Sequence, residues 1–305
     1  MDFSKFDVLI LIGKGGVGKT TCSSALAVGL AERGYKTLLV SIDPAHNLGD
    51  VLKIDVGRRM KKVKENLYAV EIDIDEAVGK YLKELEESLK SLYRYLTVIN
   101  LEKYLEIMRY TPGVEEYAIL EAIKDILSKR GEFDKIVFDT PPTGLTVRIL
   151  ALPKTSLIWL EKLIELRRKI LDRRLSIERV KGKITFKVGD RVIKLPSREE
   201  EDRVIQELRR YKSETERVYK TFTDERTAVI GVVNPDELSL LEMERTMEAL
   251  KKMGIPIRLV IVNKYEGGDL EGISERLKTE VVKVTKKPKE VRGIEELGKL
   301  FEEIA

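Results

Sequence analysis

Gly13-Lys14-Gly15-Gly16-Val17-Gly18-Lys19-Thr20 stands directly behind the apolar run Val8-Leu9-Ile10-Leu11-Ile12, and this stretch decides the fold. The run reads as a strand buried on both faces. The segment after it fits the pattern G-x-x-x-x-G-K-[ST] between a strand and a helix. Glycines let the backbone approach a phosphate closely, so loop N–H groups and the following helix N-terminus can hold an anion. Lys19 supplies a cation able to span the β- and γ-phosphates, and Thr20 supplies a hydroxyl ligand for magnesium. The candidate nucleotide-binding residues are therefore Gly13, Lys14, Gly15, Gly16, Val17, Gly18, Lys19, Thr20 and Thr21.

Working outward, small and apolar residues from Lys19 to Arg33 suit a helix packed closely on a sheet and closed by Gly34. Thr37–Ile42 reads as a second strand, running into Asp43-Pro44-Ala45-His46-Asn47-Leu48-Gly49-Asp50. Leu67–Asp73, Phe133–Asp139, Ala228–Val233 and Ile257–Val262 read as further strands, with helices expected at about 75–96 and 114–129. Strands alternating with helices predict an α/β fold, a parallel P-loop sheet with helices on both faces. Ligands bind such sheets beyond the carboxyl ends of the strands, where Asp43 and Asp139 fall.

Residues 153–226 are too many for a simple crossover and predict an inserted subdomain. It holds an apolar helix face (Leu157, Ile158, Trp159, Leu160, Leu163, Ile164, Leu166), basic Arg167, Arg168, Lys169, Arg173 and Arg174, and a hairpin around Gly189-Asp190. A polar helix over about 198–222 returns the chain to the sheet. The expected organisation is 1–95, 114–152 and 227–305 as the nucleotide-binding domain. Residues 96–113 add an apolar helical segment to the inserted helical subdomain of 153–226 with its β-hairpin.

The chain has 305 residues, 43% apolar and 35% charged, and its 56 basic and 52 acidic residues leave a net charge of only +4. That near-balance does not indicate nucleic acid. The Lys/Glu-rich surface, with Gln206 the only glutamine, resembles the bias of heat-adapted proteins. The amino terminus lacks a basic segment followed by an apolar one, so a cytoplasmic location is expected. Cys22 is the only cysteine, which excludes an internal disulfide and a multi-cysteine metal cage within one chain.

Phosphoryl transfer to water needs a cradle, a metal, a group that places the water and a means of neutralising developing charge. Asp43 is the candidate to orient or activate water, and Asp139 the acidic residue that holds magnesium through its water shell. Thr140-Pro141-Pro142-Thr143-Gly144 is either a loop that senses the γ-phosphate or a rigid turn. His46, a lone loop histidine, is read as a positioning group without a catalytic role.

Lys14 is unnecessary for cradling phosphate within one subunit, and a lysine there can serve in trans. In this the chain resembles the deviant Walker A class of dimeric ATPases. With residues 43–50 and 139–144, the resemblance narrows to the arsenical-pump ATPase and tail-anchored-protein targeting factor family, as an archaeal-like member. Pro112-Gly113-Val114-Glu115-Glu116, Asn234-Pro235-Asp236 and Pro288-Lys289-Glu290-Val291-Arg292-Gly293 are also similar to family segments. The resemblance implies ATP and magnesium as cofactors and a homodimer in which Lys14 joins Asp43 and Lys19 in catalysis. It further implies nucleotide contacts from Asn234 and Asn263, Asn263 at the adenine edge, and a base-walling loop carrying Pro288, Val291 and Arg292.

Departures narrow it again. One cysteine cannot form the thiol cluster that a soft metalloid needs. Tyr265-Glu266-Gly267-Gly268-Asp269 replaces the Cys-x-x-Cys pair of zinc-linked dimers, so no zinc is expected. Leu145 stands where the family's second switch commonly carries histidine. The reading is a dimeric magnesium-dependent ATPase that couples its cycle to capture and release of hydrophobic membrane-protein segments. Its partners are such segments or a membrane receptor or transporter, with no nucleic acid. The alternatives are an ATPase subunit driving arsenite efflux and a nucleotide-gated cargo or scaffold protein. The apolar faces around Leu101, Tyr104, Leu105, Met108 and 157–166 are either core or client groove.

Overall fold

The computed structural model describes residues 2–43, 48–92, 106–182, 185–188 and 191–305. The expected loop residues Pro44–Asn47, including His46, lie outside the described residues, as do Leu101, Tyr104 and Leu105.

Continuous apolar runs become strands covered on both faces, the pattern of a parallel sheet. Strand β1 (Val8–Ile12) is wholly buried, as are β2 (Thr37–Ser41) and β5 (Lys135–Asp139). Between β2 and β5 come β3 (Lys61–Lys64) and β4 (Leu67–Glu71). After an excursion through a two-stranded hairpin, β6 (Thr185–Val188) and β7 (Arg191–Lys194), the chain adds β8 (Thr227–Val233), β9 (Ile257–Tyr265) and β10 (Glu280–Thr285). The eight-stranded sheet runs β10-β9-β8-β1-β5-β2-β4-β3, parallel throughout except for the antiparallel β3–β4 edge. Leu11 stands level with both Asp139 and Ile230, so the central strands deliver their carboxyl ends together.

Alternation on β1 supplies two cores. Leu9 and Leu11 join the layer made by α1 (Lys19–Glu32) and α9 (Ile294–Ile304). Ile10 faces a second layer with Ile42, Phe138, Ile149 and Phe222. Small residues Ser23, Ser24, Ala25, Ala27, Gly29 and Ala31 are all buried on α1, which lets its backbone lie close to its neighbours. At Gly29 an added Cβ would stand 2.0 Å from the Phe301 ring.

The remaining helices are α2 (Leu48–Leu52), α3 (Ile74–Leu92), α4 (Val114–Leu127), α5 (Thr143–Lys181), α6 (Arg203–Thr223), α7 (Glu237–Lys252) and α8 (Leu270–Leu277). The chain forms two compact units: Met1–Ala77, Glu115–Ala151 and Thr221–Ala305 in the first, Val78–Val114 and Leu152–Lys220 in the second. α5 starts directly after the 140–142 loop and continues through Pro153, so it supplies residues to both units.

Within the second unit, Ile164, Leu171 and Ile205 form a small core with Leu208. Beside it Arg167 grips the fully buried Asp202, its Nε donating to Oδ1 at 3.1 Å and Nη2 to Oδ2 at 2.7 Å. Asp202 Oδ1 also accepts the Ile205 N–H at 2.9 Å, which starts α6. The expected helix start near 198 is thus a short 3₁₀ turn over Glu199–Glu201, with α6 beginning only after the Asp202 cap. The apolar face read from Leu157 to Leu166 also divides. Leu160 and Ile164 are buried, whereas Ile158, Trp159, Leu163 and Leu166 are exposed.

Candidate nucleotide site

The loop between β1 and α1 lies at the carboxyl edge of the sheet. Gly13 passes so near β8 that a Cβ would come 2.3 Å from the Val232 carbonyl oxygen. Gly18 has φ +95°, a left-handed conformation, and a Cβ there would stand 2.2 Å from Asn263 Nδ2. Because Gly18 caps α1 without a side chain, the first helical N–H groups keep their donors for an anion. Val17 is buried beneath the loop, while Lys14, Gly15 and Gly16 face solvent. Thr21, half-buried, is the third residue of α1.

Lys19 is 95% buried as a residue, its relative exposure being 5%, and Nζ donates to the Lys14 carbonyl at 3.2 Å. Burial pulls its pKa down, and the charges of Asp139 and Asp43 oppose that shift. The same two carboxylates therefore sit near enough to feel the ammonium. Asp43 follows the end of β2, and the preceding Ile42 N–H donates to the Asp139 carbonyl at 2.8 Å. β2 and β5 thus pair Ser41 with Asp139, and Asp43 lies two residues beyond that pair at the same carboxyl edge.

Asp139 is fully buried at the end of β5. Thr20 Oγ1 donates to its Oδ2 at 2.7 Å, whereas Oδ1 is buried without a hydrogen-bond partner among the described residues. Burial pushes the Asp139 carboxyl up to about 7, and the Thr20 hydrogen bond and the Lys19 charge hold it back. A buried carboxylate with one open oxygen beside a threonine hydroxyl fits a hydrated magnesium ion held by Thr20 and Asp139. The loop after β5 is anchored by Thr140 Oγ1 donating to the Leu11 carbonyl at 2.5 Å and Thr146 Oγ1 donating to the Pro141 carbonyl at 2.7 Å. Thr143 Oγ1 is buried in the same loop without a hydrogen-bond partner among the described residues.

Other expected ligands have different surroundings. Asn263 Nδ2 donates to the Val17 carbonyl at 2.7 Å and its Oδ1 accepts the Lys264 N–H at 2.9 Å, so this amide grips the loop itself. The Asn234 backbone N–H donates to Ser239 Oγ at 3.1 Å, and its Oδ1 is buried without a hydrogen-bond partner among the described residues. In the 288–293 loop, Pro288 and Arg292 are exposed and Val291 packs against the core. That loop is fastened by the Gly293 N–H, which donates to the Val51 carbonyl at 2.7 Å. Two contributors escape sequence reading. Glu71 Oε1 accepts the Leu48 N–H at 3.0 Å, which positions α2, and Lys264 Nζ donates to the Gly16 carbonyl at 2.9 Å.

A family model described as an anion-transporting ATPase matches residues 6–280. The chain belongs to the anion-transporting ATPase family. Among similar members, the putative arsenical pump-driving ATPase 2 of Aquifex aeolicus is 32% identical over 253 residues, 83% of this chain and 78% of that protein. The putative arsenical pump-driving ATPase of Halobacterium salinarum is 34% identical over 256 residues, 83% of this chain but 34% of that protein. ATPase GET3C of Arabidopsis thaliana is 32% identical over 272 residues, 84% of this chain and 66% of that protein. This anion-transporting ATPase family member is accordingly an ATP hydrolase of the P-loop class.

Proposed function

We propose that the protein is a homodimeric, magnesium-dependent ATPase of the cytoplasm that captures and releases hydrophobic membrane-protein segments. The nucleotide-binding domain in this reading is 1–95, 114–152 and 227–305, and the client subdomain is 96–113 and 153–226. The observation that carries the client role is the apolar surface of α5, where Ile158, Trp159, Leu163 and Leu166 are exposed on the second unit. Patches of large apolar side chains on a helix mark interaction surfaces more often than scattered single ones do.

In the reaction, loop N–H groups from Gly13 to Thr21 bind the phosphates and Lys19 leaves its Lys14 carbonyl to neutralise the β- and γ-oxygens. Asp43 orients the attacking water, and Lys14 completes the site of the facing subunit. Asn234, Asn263, Pro288, Val291 and Arg292 form the base end. Thr20 and Asp139 would hold a magnesium ion, which would supply further neutralisation of phosphate charge when bound. Thr143 and the prolines before it sense the γ-phosphate and pass the nucleotide state to α5. Among the described residues no helix is long and apolar enough to cross a membrane.

The names of the bacterial and archaeal relatives favour a second reading, a subunit that drives arsenite export. Against it, Cys22 is fully buried and burial pushes its thiol up to about 12, which leaves no accessible thiolate for a metalloid. A nucleotide-gated cargo or scaffold protein is the third. Cross-linking to a photoreactive transmembrane peptide, with and without ATP, tests the first reading. Capture by the wild type and its loss in Ile158→Asp/Leu163→Asp, with ATP binding retained, is the expected result. Equal capture by the folded double variant defeats the client surface, and arsenite-stimulated turnover favours the pump.

A further inference from the structure

Consecutive residues of an extended strand point to opposite faces of the sheet, yet Asn263 and Lys264 both reach the phosphate loop. Their partners are consecutive carbonyls: Asn263 Nδ2 donates to Val17 O at 2.7 Å and Lys264 Nζ to Gly16 O at 2.9 Å. The cause is a bulge. Val262 pairs with Lys283 and Tyr265 with Thr285, so Asn263 and Lys264 together stand opposite the single residue Val284. Lys264 absorbs the extra length at φ +56°, a left-handed conformation uncommon for a residue with a Cβ. Bulges beside active sites re-aim side chains, and this one turns Lys264 onto the loop. The bulge is held from behind, because the Lys286 N–H donates to the Tyr265 carbonyl at 3.0 Å.

A trans peptide carries its N–H antiparallel to its C=O within one plane. Drawing the Gly16 and Val17 carbonyls toward β9 therefore points the Val17 and Gly18 N–H groups away from β9, as a phosphate cradle requires. We infer that Lys264 is a positioning residue for ATP: with Asn263 it pre-orients two phosphate-binding N–H groups before the nucleotide arrives. The left-handed backbone at Lys264 accompanies the contact of its ammonium with Gly16. The inference rests on the nucleotide reading of the loop, and Lys19→Ala separates the two. If Lys19→Ala binds ATP like the wild type, the site assignment itself fails.

The test compares Lys264→Met, Lys264→Arg and Lys264→Gly with the wild type for ATP affinity, steady-state kinetics, unfolding midpoint and amide exchange at residues 17 and 18. Lys264→Met and Lys264→Gly should each weaken ATP binding about tenfold, the loss of one charged hydrogen bond. KM should rise while kcat stays within about twofold, because the lost contact orders the ground state and transition state alike. Exchange at Val17 and Gly18 should quicken in both. Lys264→Arg should retain affinity, and Lys264→Gly should unfold no earlier than the wild type because glycine relieves the left-handed strain. A purely structural lysine would instead lose affinity only where the unfolding midpoint falls. Wild-type ATP affinity in Lys264→Met and Lys264→Gly overturns the inference, as does an equal loss in Lys264→Arg and Lys264→Met.

Discussion

Asp139 offers the sharpest test of the site's electrostatics. Its carboxyl is pushed from an ordinary 3.8 up to about 7, chiefly by burial. Between those two values the folded state holds a proton that the unfolded state has lost, so this group makes stability fall as pH rises through the window. The difference corresponds to about 4 kcal/mol once pH exceeds the folded value. Asp139→Asn removes the charge, keeps the shape and can still accept the Thr20 hydroxyl. Its stability relative to the wild type should therefore improve by about 1.4 kcal/mol per pH unit across most of the window, then level off above about pH 7. Urea denaturation followed by circular dichroism at several pH values, in EDTA and without nucleotide, measures this gap. A gap that stays flat from pH 4 to 8, or a wild type that is the more stable protein at pH 8, would refute the argument from burial. The same variant should lose magnesium-dependent turnover, so stability and activity move in opposite directions.

Asp202→Ala leaves the Arg167 guanidinium without its buried carboxylate and α6 without its cap, and should destabilise the second unit by about 3–5 kcal/mol. Trp159, the only tryptophan and a member of that unit, reports the loss by fluorescence during denaturation. Gly29→Ala drives a methyl into the Phe301 ring and should cost about 1–3 kcal/mol, partly recovered when Phe301→Leu is added; an undiminished melting temperature in the single variant would contradict the contact. For the trans role, Lys14→Ala mixed with Asp43→Asn forms heterodimers that carry one site with both groups intact. ATPase activity above that of either parent is expected, and none despite proven heterodimers counts against Lys14 acting across the interface.

How much of this was legible from the chain depends on where burial is two-sided. The strands β1, β2, β5, β8 and β9 run buried through the sheet and read as continuous apolar stretches, so their existence and parallel sense followed from pattern, whereas their order in the sheet did not. β3 and β10 did not, because the edge strand Lys61–Lys64 is built from lysines around a single valine and Glu280–Thr285 mixes charge with valine. Edges are kept charged to discourage pairing with other chains, which erases the signal that marks a strand. At the candidate site, the phosphate loop, Asp43 and Asp139 stood out in the sequence as candidates because spacing and the ends of strands single them out. Lys264 was not, since its role depends on one left-handed residue in a bulge, and glycine, the usual sign of such a residue, is absent there.

The same limit governs the apolar stretch of α5. Leu157, Ile158, Trp159, Leu160, Leu163, Ile164 and Leu166 cover too much of the helix circumference to belong to one face. The buried residues Leu160, Ile164 and Leu171 stand at i, i+4 and i+11, which all fall on one core-facing stripe of the helix. Trp159, Leu163 and Leu166 stand at i, i+4 and i+7 counted from one position earlier, on a stripe rotated by about 100° around the helix, and they are exposed. Two stripes therefore run side by side, one spent on the unit's own core and one left in water. Composition counts both as core; only the phase of burial separates them. Any substitution meant to probe a client surface must consequently fall on the second stripe, because charge at Leu160 would unfold the unit and report nothing about what it binds.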